Sequence, residues 1–188
     1  MYKVKGSKHF GYAFPVWNEA EIKNHLEQIR ILHHAARHHC YAFRLGLDKA
    51  HYRANDDGEP SNSAGKPILG QIESFDLTNI LIVVVRYFGG TKLGVGGLID
   101  AYRTAARMAI SNGEIVEVQV TKVYQINFPY SQMSSVMGFL KKWELPQIKQ
   151  NFDVECTLQT EIRLGDSEMF EEFFEDLEES KAALLAIK

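Results

Sequence analysis

The feature that most constrains the fold is an unbroken apolar run, Ile80-Leu-Ile-Val-Val-Val85, which ends in Arg86 and leads into the segment Gly89-Gly-Thr-Lys-Leu-Gly-Val-Gly-Gly97. Such a run has no polar alternation. It predicts a strand over Asn79–Phe88 that is covered on both faces and lies centrally in its sheet. It is far too short to cross a bilayer, which takes about 20 residues. A helix is predicted after the glycines, from Leu98 to about Ser111, with Leu98, Ala101, Ala105 and Ala109 on one face and Gly113 ending it.

The rest of the chain arranges itself around that strand. Phe10–Val16 reads as a strand. Asn18, with Glu21 three residues on, predicts a capped helix carrying Ile22, Leu26 and Ile29 and ending near His33 or His34. Cys40–Leu47 reads as a strand, Tyr52–Pro67 as a long loop, and Pro67–Phe75 as a short helix. From Gln119 the pattern is strand (Val120–Phe128), helix (capped by Ser131 or Ser134, through Trp143) and a hairpin (Ile148–Val154 and Cys156–Leu164). An acidic amphipathic helix from Ser167 to about Ser180 and a short strand, Leu184–Ile187, complete it. That order, β-α-β-β-α-β, is the ferredoxin-like one. The expectation is therefore an α+β protein with domains over 1–118 and 119–188.

Charge distinguishes the two halves. Met1–Val118 carries 14 Lys+Arg against 12 Asp+Glu, and Gln119–Lys188 carries 7 against 12, which suggests different partners for the two. Two cysteines cannot form a disulfide framework, and the N-terminus has no apolar stretch of signal-peptide length. These features predict a cytoplasmic protein.

Three constellations are candidates for chemistry. The first is the glycine turn. The leading amides of a helix have no internal partner and sit at the positive end of its dipole, and glycines let an anion approach them. Gly94, Gly96 and Gly97 with Lys92, Arg86, and the i, i+4 pair Arg103 and Arg107 predict a site for a phosphate of RNA or of a small ligand. The alternative is that the glycines serve a tightly packed turn, and that Arg103 pairs with Asp100. The second is Asp56, Asp57 and Glu59, able to hold a cation or act as acid and base, or else to form an Asx-type turn with a salt link to Arg86 or Lys66. The third is the histidine cluster, in which His38 and Cys40 share a strand face as weak zinc ligands or a Cys-His pair. The alternative is a buried cysteine beside a histidine that hydrogen-bonds the loop. Tyr41, Phe43, Tyr52, Tyr87, Phe88 and Tyr102 offer faces for stacking bases, or belong to the core.

At His38-His-Cys-Tyr-Ala42, Asn55-Asp-Asp-Gly-Glu-Pro-Ser61, Ala64-Gly-Lys-Pro67, Leu77-Thr-Asn79 and Val85 through Leu98, the sequence resembles the IMPACT/YigZ family. The resemblance implies a first domain like a ribosomal-protein and elongation-factor-G module with a left-handed βαβ crossover, where periodicity alone gives a right-handed one. It implies a second domain like the ferredoxin-like domains of elongation factor G. It brings no established enzymatic activity and no cofactor. It points to a non-enzymatic, translation-associated protein whose partners are RNA, the ribosome or a translation-related protein, with no membrane and no DNA. The alternatives are a phosphate- or metal-dependent enzyme using the glycine turn and acidic loop, and a protein-interaction adaptor. Relatives usually carry a leading strand before Gly6-Ser7-Lys8-His9-Phe10, so either the start is short here or an upstream segment is missing.

Overall fold

A computed structural model describes residues 1–153 and 155–187. It comprises two compact units, Met1–Ile115 and Val116–Lys188, each α+β and each built on one antiparallel sheet.

The first unit runs β1 (Tyr2–Val4), β2 (Ser7–Pro15), α1 (Glu19–Leu32), β3 (His38–Leu45), β4 (His51–Asn55), α2 (Gly65–Ser74), β5 (Ile80–Tyr87) and α3 (Gly94–Ser111). The sheet order is β1-β2-β5-β3-β4, with every neighbouring pair antiparallel. The apolar strand is central, as its composition requires. Its side chains alternate between two cores. Leu81, Val83 and Val85 join Tyr41, Phe43 and Leu45 beneath Ile22 and Ile29 of α1. Ile82 and Val84 join Cys40 and Ala42 beneath Ile68 and Ile72 of α2 and Ala101, Tyr102 and Ala105 of α3. Because β2 and β3 both run antiparallel to β5, they are parallel to each other, and α1 is the crossover between them.

Local chemistry sets the ends of these elements. Asn18 caps α1 by accepting from the Glu21 amide, while Glu21 accepts from the Trp17 amide at 2.9 Å. The sequence reading missed two strands. Tyr2–Val4 is short. His51–Asn55 overlaps the start of the expected loop and is an edge strand, exposed along most of its length, so it carries no apolar alternation to read. Helix α3 begins at Gly94 rather than Leu98, so the glycines form its first turn instead of preceding it.

Gly11 and Gly89 permit two close approaches. A Cβ on Gly11 would lie 2.5 Å from the Ala105 carbonyl oxygen, so α3 rests directly on β2. Gly89 lies backbone to backbone against Gly6, and a Cβ on Gly6 would stand 2.7 Å from the Gly89 carbonyl oxygen. This contact binds the β1–β2 hairpin to the glycine turn.

The second unit runs β6 (Thr121–Pro129), α4 (Met133–Lys142), β7 (Gln147–Phe152), β8 (Glu155–Arg163), α5 (Ser167–Asp176) and β9 (Lys181–Ile187). Its sheet order is β7-β8-β6-β9, antiparallel throughout. Tyr124, Ile126, Phe128, Leu158 and Ile162 pack beneath Phe139, Phe170 and Phe174 of the two helices. On α5, Glu171 accepts from Lys122 Nζ at 2.9 Å and from the Tyr124 hydroxyl. Ser167 does not cap α5 by accepting an amide; its hydroxyl donates to the Leu164 carbonyl at 2.9 Å. The hairpin expectation extended to Val154, which lies outside the described residues. Among the described residues, no helix is long and apolar enough to cross a membrane.

The Gly6–Gly89 contact yields a prediction. In Gly89→Ala the new methyl meets main chain that has nowhere to go. Urea unfolding should show a loss of about 3 kcal/mol, at the upper end of the usual cost of overpacking.

Candidate functional site

Arg86 ends β5 and faces the α3 side of the sheet, where charge is costly to bury. Its Nη1 donates to Glu59 Oε1 at 2.7 Å, with the two side chains only 7% and 4% exposed. The same Glu59 oxygen accepts from the Tyr102 hydroxyl of α3 at 2.8 Å. Arg86 Nη2 reaches Ser7 Oγ at 3.5 Å, and Ser7 Oγ also accepts from the Gly89 amide at 3.2 Å. His9 pairs with Arg86 across the β2–β5 ladder and lies edge-on to Tyr102, with ring centroids 5.3 Å apart. His9 is fully buried, and neither ring nitrogen has a protein partner. Burial, followed by the charge of Arg86, lowers its pKa to about 4. One buried polar network therefore ties together β2, β5, α3 and the acidic loop.

That loop divides its carboxylates. Asp56 Oδ1 accepts from the amides of Ala64 and Gly65 at 2.9 and 2.8 Å, and Oδ2 from the Asn62 amide at 2.8 Å, so it caps α2 from a distance. Asp57 Oδ2 accepts from the His39 amide at 2.6 Å, and Arg30 stands 3.6 Å from Oδ1. Glu59 belongs to Arg86. The loop turns through Asp57 and Gly58, both at positive φ (42° and 86°), with the Glu59 amide donating to the Asp56 carbonyl, a type I′ arrangement. The Asx-type turn and the salt link to Arg86 thus both form. Among the described residues, no three His, Cys, Asp or Glu side chains gather as a cation site.

His38 and Cys40 also serve the loop. His38 Nδ1 lies 2.9 Å from the Asp57 carbonyl oxygen, and the Cys40 thiol donates to the Asp56 carbonyl at 3.0 Å. Burial drives the Cys40 pKa far above the ordinary thiol range, which favours the protonated thiol that donates to the loop. Tyr41, Phe43 and Tyr102 are core residues, whereas Tyr52 and Phe88 are exposed.

The glycine turn is different. Gly89 serves packing, but a Cβ on Gly90, Gly94 or Gly96 would meet nothing within 4 Å. Gly90 and Gly94 hold positive φ (87° and 74°); Gly96 does not, so neither packing nor backbone conformation within this chain calls for a glycine there. No carbonyl or side chain from outside α3 reaches the amides of residues 94–97 among the described residues. Lys92 is exposed, Arg103 pairs with Asp100 at 2.9 Å, and Arg107 is exposed with no carboxylate partner among the described residues. Arg86, one of the cations expected to face the anion, is therefore buried and neutralised by Glu59. The surface cations at this end of the sheet are instead Lys92 and the lysines of the β1–β2 hairpin, Lys3, Lys5 and Lys8, all exposed and none paired among the described residues. Sequence reasoning missed the hairpin lysines because only the Gly6–Gly89 contact brings them to the turn. It missed His9 because the pairing register with Arg86 cannot be read from either strand alone.

The Impact N-terminal domain family matches residues 5–110, a span that contains every side chain of the buried network. The chain belongs to the IMPACT family. Among its relatives, an IMPACT family member of Haemophilus influenzae is 32% identical over 99% of this chain and 90% of its own length. The IMPACT family member YigZ of Escherichia coli K12 is 30% identical over 88% of this chain and 82% of its own length. A solved structure described as the crystal structure of a hypothetical protein matches with a TM-score of 0.66 and 28% identity, covering 100% of this chain and 92% of the other.

Two outcomes follow from the network. Removing one partner of the buried pair strands the other charge, so Glu59→Ala should cost about 3–5 kcal/mol in denaturant unfolding. His9 protonates near its ordinary value of 6.5 in the unfolded chain but only near 4 in the fold. Between those values the unfolded state binds more protons, so stability is full above pH 6.5 and is lost as the pH falls towards 4. His33 and His39, also lowered by burial, act in the same direction. The slope of unfolding free energy against pH over that window should be shallower in His9→Gln.

Proposed function

We propose that this chain is a non-enzymatic binding protein of the translation apparatus, and that its first unit binds RNA at the sheet end where the β1–β2 hairpin meets the glycine turn. The observation that carries the reading is that the Gly6–Gly89 contact sets the hairpin that carries Lys3, Lys5 and Lys8 against the turn that carries Lys92, with none of these lysines in an ion pair among the described residues. Cations without partners and main-chain donors without acceptors are the groups that neutralise a phosphate backbone. Gly96 supports the same reading, because a bare helix start gives a ligand room where the chain itself makes no use of it.

The non-enzymatic part is supported by the loop. Asp56, Asp57, Glu59, His38 and Cys40 are all engaged in holding main chain or in charge pairing. The translation setting is supported by the two-unit plan. The first unit is read as the ribosomal-protein and elongation-factor-G-like module of the family, with its left-handed β2–α1–β3 crossover. The second is read as a ferredoxin-like module of the same kind, and its element order and sheet order fit that description. The cytoplasm is the corresponding location.

A separate feature favours the adaptor reading for the second unit. Gly138, Phe139, Lys142, Trp143, Met169 and Phe173 line a groove of about 420 Å³ between α4 and α5. Its exposed tryptophan and mixed rim of Lys142, Glu172 and Asp176 suit a protein contact better than RNA.

Fluorescence anisotropy with single-stranded RNA tests the main reading. Affinity should fall steeply with salt, and the triple variant Lys5→Ala, Lys8→Ala, Lys92→Ala should flatten the log–log salt slope by about 2, at about 0.7 for each lost phosphate contact. Absent or salt-insensitive binding refutes it. Gly96→Ala should bind more weakly while unfolding at higher urea, because alanine is favoured over glycine in a helix by up to about 1 kcal/mol.

A further inference from the structure

Beside the hairpin and the turn, on the opposite face of the sheet from the Arg86 network, lies a cleft of about 390 Å³. Gly6, Lys8, Phe10, His33, Tyr87 and Phe88 line it. Its volume falls in the range of pockets that enclose small organic groups, about 300–1,000 Å³. Three of its six lining residues are phenylalanine or tyrosine, Lys8 is charged, and none of the six is a carboxylate. Phe88 leaves 58% of its surface in solvent, and its ring centroid lies 5.6 Å from the Arg86 guanidinium carbon.

Two polar groups of the cleft, His33 and Tyr87, belong to a relay that ends at Tyr12 outside its lining. Tyr12 Oη lies 2.6 Å from His33 Nε2, and His33 Nδ1 lies 3.0 Å from Tyr87 Oη. Burial lowers the His33 pKa, which favours the neutral ring at physiological pH. A neutral imidazole has one N–H and one acceptor nitrogen. One tyrosine must therefore donate to it and the other accept from it, and when Tyr87 is the acceptor its hydroxyl keeps its own hydrogen for a guest in the cleft. The Phe10 and Tyr87 rings pack against His33 at centroid distances of 5.3 and 5.8 Å, which fixes the ring in place.

We infer that this cleft is a nucleobase subsite: one unstacked base of a single-stranded RNA lies against Phe88 and Tyr87, with His33 and the Tyr87 hydroxyl at its polar edge and Lys8 on its phosphate. The inference rests on the RNA reading above and deepens it. The backbone is held by the glycine turn and the hairpin lysines, and the neighbouring base enters the cleft. The sheet geometry supplies the continuity: Lys8 and Tyr87 face each other across the β2–β5 ladder, and Gly6, at the mouth of the cleft, touches Gly89 of the turn. Base–aromatic stacking tolerates any sequence because every base has a π-face. The subsite therefore selects single strands over duplexes, whose bases are already stacked and paired.

The test compares the full chain's affinity for a single-stranded oligouridine with that for an abasic ribose-phosphate oligomer of the same length and charge. Stacking of this kind should make the base-bearing oligomer bind about tenfold tighter. Phe88→Ala should bring the two affinities together while leaving the abasic one unchanged. A photocrosslinking oligomer carrying 5-iodouridine gives an independent readout on the unmodified protein and should attach at Phe10, Tyr87 or Phe88. Equal affinity for the two oligomers overturns the subsite and leaves the RNA reading standing. A preference that survives in Phe88→Ala, or crosslinks confined to other aromatic residues, places the base elsewhere and overturns it too. Failure to bind either oligomer removes both readings and leaves the cleft to a protein side chain.

Discussion

The first unit depends on one ion pair. Arg86 and Glu59 meet in the interior, and each is tolerable there only because of the other. The pair does more than cancel charge. Glu59 also receives the Tyr102 hydroxyl from α3, and Arg86 reaches Ser7 on β2, whose oxygen in turn holds the Gly89 amide. A loop, two strands, a helix and the start of the glycine turn are thereby positioned by a few polar atoms. Nonpolar side chains of similar volume would fill the space, but they would not specify which loop conformation closes over the sheet. The segments richest in charge and glycine are thus explained chiefly as architecture.

That division clarifies the acidic loop. Three carboxylates within four positions resemble a cation site on paper, yet each is directed to a different task. Asp56 caps a helix, Asp57 holds the start of β3, and Glu59 neutralises Arg86. The turn through Asp57 and Gly58 separates them. Their shared role is to fix the loop that closes the Arg86 side of the sheet, while α1 covers the opposite face.

Much of this was legible in the sequence, where local chemistry decides. The apolar run had to be central, Asn18 and Glu21 had to start a helix, and the second unit's order of elements followed its periodicity. What was not legible depends on pairing across distance. His51–Asn55 has no apolar face because it is an edge, so nothing in its composition marks it as a strand. The turn glycines were expected just before the helix and instead form its first turn, since open space rather than propensity permits them there. Arg86 looked like a surface cation because a single arginine after a strand gives no sign that a glutamate from an earlier loop will cover it. The hairpin lysines were overlooked for a related reason: they become neighbours of the turn only through a glycine-on-glycine contact.

The central position of β5 has a consequence for how the chain reaches this state. Its two partners, β2 and β3, both precede it in sequence, and β2 lies near the opposite end of the unit. Until β5 has been synthesised, the earlier strands have nothing between them to pair with, and their apolar faces remain exposed. Joining such distant segments requires closing long loops before any ladder bond compensates, which places the unit among slowly folding, non-local topologies. On the ribosome, the N-terminal hairpin and α1 would wait outside the exit tunnel for the segment that completes their sheet, and that interval is when the nascent chain is most exposed to chaperones and to aggregation.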